Sequence, residues 1–473
     1  MSISGAFANA RSGLALNART AELIGSNIAN ALVPNHARQE VVAATARTGG
    51  VRIEAVARAA DPVTLAARLD AGARAGSADV ALKGARRIAD LTGTADGASG
   101  LTAAVNGLGI ALSQASVHPG EGLTTEAVAA AARTVAAELG HAAEGLRTLR
   151  NEADASIGQR VAAINAALAT LQELNASVVA ARARREPVAD LEQARDAAVL
   201  SISEHIPITV VARSDGRIAL FSSRGAALLD GAATTLGFTP AGVVPDGATA
   251  ANGGLSGLTL GGIPVAEGAG GLLGGGALSA DFDLRDRTLP QAQSSLDALA
   301  AAIVTRLEAA DASLTPGEPG LLSDGGLPFD PSALEGLAAR IRPHSALDDP
   351  AMGALALSHG FGSTPVSGTL ASLAAAFSRT GTDLAATGDP TARDLAGHVA
   401  HVSADLHIRA ARAEEAGASA AAASRLADAA HGDRVGVDTD QQLQLLLAIE
   451  NAYAANARVL AVADAMMQDL LEI

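Results

Sequence analysis

A chain of 473 residues is long for one hydrophobic core, and at the usual ~100–200 residues per domain it predicts two to four units. Aromatic residues are only 2% of the chain, with no Trp and the single Tyr453, so packing must rest on Ala, Leu, Val and Ile; the absence of Cys excludes disulfides, zinc–thiolate sites and thiol nucleophiles. The net charge of −16 with scattered basic residues leaves no electrostatic footprint for a nucleic acid, so neither DNA nor RNA is an expected partner.

The N-terminus lacks the basic and apolar regions of a secretory signal, and no run of about 18 apolar residues reads as a membrane span. Export, if it occurs, is then expected without a cleaved leader, and no membrane is an expected partner. Over residues 3–31, Ile3, Phe7, Ala10, Leu14, Ala21, Ile24 and Ile28 recur at three-four spacing, with Asn17 the one polar interruption. That spacing predicts a helix with a heptad seam, and Pro34 predicts a turn near Leu32 to Asn35. Further helices are predicted over about 83–116, 123–140, 189–204, 289–312 and 391–430. Between Ala142 and Arg185 the pattern of Leu146, Ala153, Ile157, Val161, Ile164, Leu168, Leu171 and Val178 predicts one long coiled-coil-like helix.

The character changes at Pro207. Ile208 to Ala212 and Ile218 to Phe221 flank Ser214-Asp215-Gly216-Arg217, which predicts a hairpin with a two-residue Asp-Gly turn. From 207 to 277 short β-prone runs between Gly-rich turns predict a small β domain inserted in a helical rod. The chain ends as it began: Leu446, Ile449, Tyr453, Leu460, Ala463, Met467 and Leu470 form a second heptad stripe interrupted by Asn456. Asp438, Thr439 and Asp440 are N-cap candidates, and Thr439 with Gln442 has capping-box spacing.

Candidate chemistry is sparse. The glycines from Gly268 to Gly276 lack the Lys-Ser/Thr of a phosphate loop and read as turns. His398 and His401, three apart on a predicted helix with His407 beyond, could approach a metal, but no carboxylate set completes a site, so they read as solvent-exposed. Asp348 with Asp349, and Glu414 with Glu415, are adjacent in sequence and do not face one another on a helix, so they read as caps and solvated faces. No Gly-x-Ser-x-Gly elbow follows a strand. No enzyme and no cofactor is expected.

Residues 26–40, from Ser26-Asn27-Ile28-Ala29-Asn30 through Pro34-Asn35-His36 to Arg38-Gln39-Glu40, resemble the N-terminal motif of the flagellar axial proteins, which comprise rod, hook and hook-associated proteins. Gly25 precedes Ser26, Asn35 stands where Gly is usual, and His36 where Tyr is usual. Residues 436–467, including Ala452-Tyr453-Ala454 and Ala457-Arg458-Val459, resemble the C-terminal motif of the same family. Ile164-Asn165, Leu174-Asn175, Asp190-Leu191 and Arg195-Asp196, with Leu284-Arg285-Asp286, Leu289-Pro290 and Leu296-Asp297, resemble the hook-associated member at the hook–filament junction. A hook or distal rod protein is the alternative, and such proteins are mainly β between their ends.

The resemblance implies a mainly α, elongated multidomain rod with a β insertion: paired terminal helices (1–60 and 436–473), a long-helix bundle (61–206 and 278–435) and an outer β-rich domain (207–277). It implies a subunit exported unfolded by the flagellar type III apparatus, served by an export chaperone, and polymerised outside the cell as a junction layer. Its partners would be other copies of itself, hook protein on the proximal side, and the next hook-associated protein and filament on the distal side. The terminal helices would be disordered in the free monomer and line the inner tube of the polymer. The stripe residues expected at the assembly interface are Ile3, Phe7, Leu14, Ile24, Ile28, Asn30, Leu446, Ile449, Tyr453, Leu460, Met467 and Leu470.

Overall fold

The computed structural model describes residues 3–33, 35–47, 49–119, 121–381 and 392–471. In chain order it begins with α1 (Ile3–Ala29), a ribbon of β1 (Gln39–Thr45) and β2 (Val51–Arg58), α2 (Pro62–Asp90) and α3 (Gly100–Val117). There follow α4 (Gly122–Arg184), α5 (Ala189–Ser203), β3 (Ile208–Ala212), β4 (Ile218–Ser222), β5 (Ala227–Asp230) and β6 (Ala232–Ala233). Short strands β7 (Leu236–Gly237), β8 (Leu258–Leu260) and β9 (Ile263–Val265) lead to α6 (Ala277–Asp283), one π turn at Leu284–Thr288, and α7 (Leu289–Glu308). The remainder is β10 (Leu322–Asp324), α8 (Leu337–Arg340), β11 (Ile341–Pro343), α9 (Pro350–His359), α10 (Thr369–Ser378), α11 (Leu395–Val435) and α12 (Thr439–Leu471). The chain is mainly α with small sheets between its helices.

It divides into two compact units, one of residues 1–76, 162–235 and 420–473, the other of 77–161 and 236–419. In the first, β3 to β6 form a four-stranded antiparallel sheet. Asn175 of α4 ties it down, donating to the Ile218 carbonyl at 2.8 Å and accepting from the Ile218 N–H at 3.1 Å. In the second unit β7 to β9 form a separate three-stranded sheet, so the strands between 207 and 277 do not make one sheet. The second unit's core is aliphatic: Val105, Leu108 and Leu112 of α3 meet Val128, Val135 and Leu139 of α4 and Leu299, Ile303 and Val304 of α7. These residues are essentially fully buried, which is how a chain so poor in aromatics closes a core.

Four local expectations are corrected. The helix predicted over 83–116 is two, because the backbone turns at Gly93, Gly97 and Gly100, all with positive φ. Those predicted over 123–140 and 142–185 are one helix of 63 residues, about 95 Å at ~1.5 Å per residue. Gly140 sits inside it facing open space, at a cost of about 1 kcal/mol. The hairpin loop is also longer than two residues: Arg213 N–H bonds to the Arg217 carbonyl, Gly216 N–H bonds to the Arg213 carbonyl, and only Gly216 takes positive φ. Finally, of the three candidates the cap of α12 is Asp438, whose Oδ1 accepts from the N–H groups of Asp440 and Gln441, and the expected capping box of Thr439 with Gln442 does not form.

A candidate assembly surface on the terminal helices

The first unit brings the two chain ends together. α1 and α12 pack side by side and antiparallel: Gly13 lies opposite Asn456, and Asn27 opposite Gln442. A Cβ on Gly13 would stand 2.7 Å from the Asn456 amide nitrogen, so the glycine sets how closely the helices approach. The polar interruption on the C-terminal stripe therefore meets the smallest residue of α1.

Asn27 is 1% exposed and Gln442 3%. The Asn27 amide donates to Gln442 Oε1 at 3.1 Å and to the Gln39 carbonyl at 3.0 Å, and its Oδ1 accepts from the Gln39 N–H at 2.9 Å. One buried side chain thus joins α1, the start of β1 and the first turn of α12. Such a group costs free energy unless its hydrogen bonds are made. The two motifs resembling the axial family meet at this point.

Around it lies a polar base. Arg38 donates its N–H to the Val435 carbonyl at 2.8 Å, and Asn35 accepts from Arg58 at its carbonyl (3.3 Å) and from Arg68 at Oδ1 (2.9 Å). Arg58 also pairs with Asp196, and Arg68 with Asp428 at 2.6 Å. Asn35 has φ of 62°, a left-handed conformation that Asn tolerates better than most residues, which accounts for its standing in the usual Gly position. His431, half-buried, bonds Thr64 Oγ1 at 2.9 Å; burial first, then the Arg68 and Arg58 charges, hold its pKa below the ordinary value.

The ribbon β1–β2 covers another side of α1: Val51 donates to Ser12 Oγ at 3.1 Å, and a Cβ on Gly50 would meet Ser12 and Asn9. The sequence reading missed this ribbon, whose signal is the β-branched pair Val41-Val42 before Gly49-Gly50 and the alternating Val51 and Ile53 after it. With a partner on two sides, α1 buries Ala10, Leu23, Ile24 and Asn27. α12 has α1 alone.

The expected interface residues sort accordingly. Ile24 is buried inside the unit, and Phe7, Leu14, Ile28, Asn30, Leu446, Ile449 and Leu460 are half-buried along the helix pair. Tyr453 and Met467 remain 48% and 40% exposed. The side chains of Ile3 and Leu470, and Pro34, lie outside the described residues.

A further feature escaped the sequence reading. One position along from the stripe facing α1, α12 carries a second seam at heptad spacing: Leu445, Ala448, Ala452, Ala455, Val459, Val462 and Met466, all exposed. Its large members are 43–60% accessible. By length and composition alone, residues 395–469 contain a stretch apolar enough to cross a bilayer, none of it buried. This corrects the expectation that no such run exists, and the two neighbouring seams on α12 are its cause. Each large aliphatic side chain contributes about 1.5–3 kcal/mol when fully removed from water. Near the free end, Phe7, Ala8, Arg11, Ser12, Ala15 and Met467 line an open groove.

The other candidates for chemistry stay apart. His398 is wholly buried, against the expectation of exposure; His401 is exposed and His407 bonds the Gly93 carbonyl at 3.0 Å. Asp349 caps α9 through the N–H groups of Ala351 and Met352, Asp348 is a largely exposed neighbour, and Glu414 pairs with Arg86 at 2.7 Å. Gly268 and Gly275 take positive φ in turns. Among the described residues no three His, Asp or Glu gather to hold a metal.

The architecture is mainly helical, and its chain ends form a paired, partly uncovered helical surface. Residues 86–314, just under half of the chain, match the family model described as the flagellar hook-associated protein FlgK helical domain, and over that stretch the chain is similar to this family. A solved structure, the flagellar hook junction protein FlgK from Burkholderia pseudomallei, is similar at 22% identity and a TM-score of 0.44. That similarity covers 55% of this chain and 47% of the other, so it spans about half of that protein's length. Among curated proteins none matches.

Proposed function

We propose that this chain is the junction subunit between flagellar hook and filament, a structural protein that assembles through α1 and α12 and catalyses no reaction. The observation that carries the reading is the second seam of α12: an apolar heptad face, free in the single chain, that a neighbouring copy's terminal helices would cover. On this reading the subunit acts outside the cell, after export through the flagellar type III apparatus with an export chaperone. Hook protein is its proximal neighbour, and the next hook-associated protein and the filament lie distally. Residues 1–60 and 436–473 are the polymerising part, and the helices between them and the strands of 207–277 form the outer layers. Deleting the gene and imaging the cells tests this. Hooks without filaments, with flagellin lost to the medium, are the expected result; cells lacking hooks would indicate a hook or distal rod protein, and normal filaments would overturn the reading.

A further inference from the structure

We infer that Met466 and Met467 form an oxidation site through which hydrogen peroxide blocks assembly of the free subunit; the inference rests on the assembly reading above. The chain has four methionines and no cysteine, so thioethers are its readily oxidised sulfur groups. Met466 and Met467 are 51% and 40% exposed, well within reach of a small oxidant. Being consecutive on α12, they point to different sides. Met466 ends the outer seam, and Met467 lines the open groove with Phe7, Ala8 and Arg11 of α1.

The reaction is an oxygen transfer. Peroxide's O–O bond breaks, one oxygen forms an S=O bond, the sulfur is oxidised by two electrons, and the second oxygen leaves as water. An apolar thioether becomes a polar sulfoxide. At Met466 that puts a strong acceptor on a face that must become dry between copies, and at Met467 it does so beside Phe7 within the helix pair. Burial of an acceptor without a donor is unfavourable. Once assembled, the same face is covered, so the free subunit is the vulnerable form.

The test uses the full-length protein treated with hydrogen peroxide, peptide mapping by mass spectrometry, and incorporation onto isolated hooks. The wild type should gain one oxygen at each of Met466 and Met467, keep its helical circular dichroism and lose most of its incorporation. Methionine sulfoxide reductases should restore it. The near-isosteric double variant Met466→Leu/Met467→Leu, scored against its own untreated level, should lose no incorporation on treatment; Met352, 54% exposed on α9, should still oxidise in it and serves as internal control. Oxidised wild type that incorporates normally, or a double variant that loses incorporation on treatment, overturns the inference. An untreated Val459→Asp arm separates the two ideas: normal incorporation of that variant would sink the assembly reading itself.

Discussion

Arg285 offers a stability test whose size follows from the geometry. Its side chain is 0% exposed, in the π turn before α7. Nη1 donates to Asp154 Oδ1 at 2.7 Å, Nε and Nη2 grip Asp286 at 2.9 and 2.8 Å, and Nη2 also reaches the Ser256 carbonyl at 3.2 Å. The guanidinium lies 5.5 Å from the Phe238 ring centre and 5.1 Å from that of Phe282, rings that meet edge to face. Arg285→Met would keep most of the apolar stem and remove the charge. Asp286 can turn toward water, its side chain being 18% exposed, but Asp154 is 2% exposed and would keep only the Ala241 N–H on its other oxygen. Stranding a buried charge in this way costs about 3–5 kcal/mol. At about 2–4 °C per kcal/mol for a domain of this class, the melting temperature should fall by about 6–20 °C. Asp154→Asn added to Arg285→Met should recover part of the loss, since a neutral amide is less costly to bury than an unpaired carboxylate. Thermal unfolding followed by circular dichroism decides it. A single variant melting within about 2 °C of wild type would mean that Asp154 finds other solvation and that the guanidinium does not hold this corner together.

Other expectations concern the terminal helices. Val459→Asp, on the outer seam and 48% exposed, should change monomer stability by less than about 0.5 kcal/mol yet abolish incorporation at the hook tip, whereas Leu460→Asp, facing α1, should also loosen the helix pair in the free subunit; equal effects of the two on the monomer would dismiss the two-seam picture. Asn27→Ala leaves the Gln39 N–H and the Gln442 amide buried without this partner, a loss of about 1–3 kcal/mol that should appear as faster amide exchange in the first turns of α12; unchanged protection there would show that the link does not anchor the pair. His431 faces Thr64, Asp61, Arg68, Arg58 and Asp196, and its pKa is depressed in the fold below the ordinary 6.5. The unfolded chain therefore binds its proton first, so this contribution to stability is whole above about pH 6.5 and drains as pH falls below it. His431→Gln should flatten the decline below about pH 6.5, and an unchanged slope would place that decline on other groups such as His344, also depressed by burial.

Spacing alone made the terminal helices legible, because a three-four apolar repeat has one economical reading. The same reasoning took each stripe as a single face. It therefore saw Tyr453 and Met467 as equivalent to Leu446 and Leu460, and missed that a heptad drifts around an α-helix far enough to leave part of a stripe uncovered. The join across Gly140 was hidden because a lone glycine weakens a helix without ending it. His398 was read as exposed because a histidine on a helix gives no sign of which face packs, and that is settled by tertiary contact. The β1–β2 ribbon was readable from the β-branched residues around Gly49-Gly50 but was masked by the terminal-helix assignment. Asn27 with Gln442 could not be paired from sequence, since 415 residues separate them.

That pair also gives a structural role to polar residues in the two family motifs. A seam of aliphatic side chains alone would allow α1 and α12 to slide by a heptad at modest cost, since one Leu or Val knob replaces another. A buried Asn27 that must satisfy both the Gln39 backbone and Gln442 permits one register, in the way a single buried Asn fixes register in a coiled coil. Asn456 against Gly13 repeats the device halfway along the pair, where a slipped register would press the amide against a larger residue. Fixing the inner register also fixes where the outer seam points, because the seams are adjacent on one rigid helix. In the proposed assembly, where every copy would present the same apolar face, the polar residues at the base would thus specify the geometry that the apolar ones use.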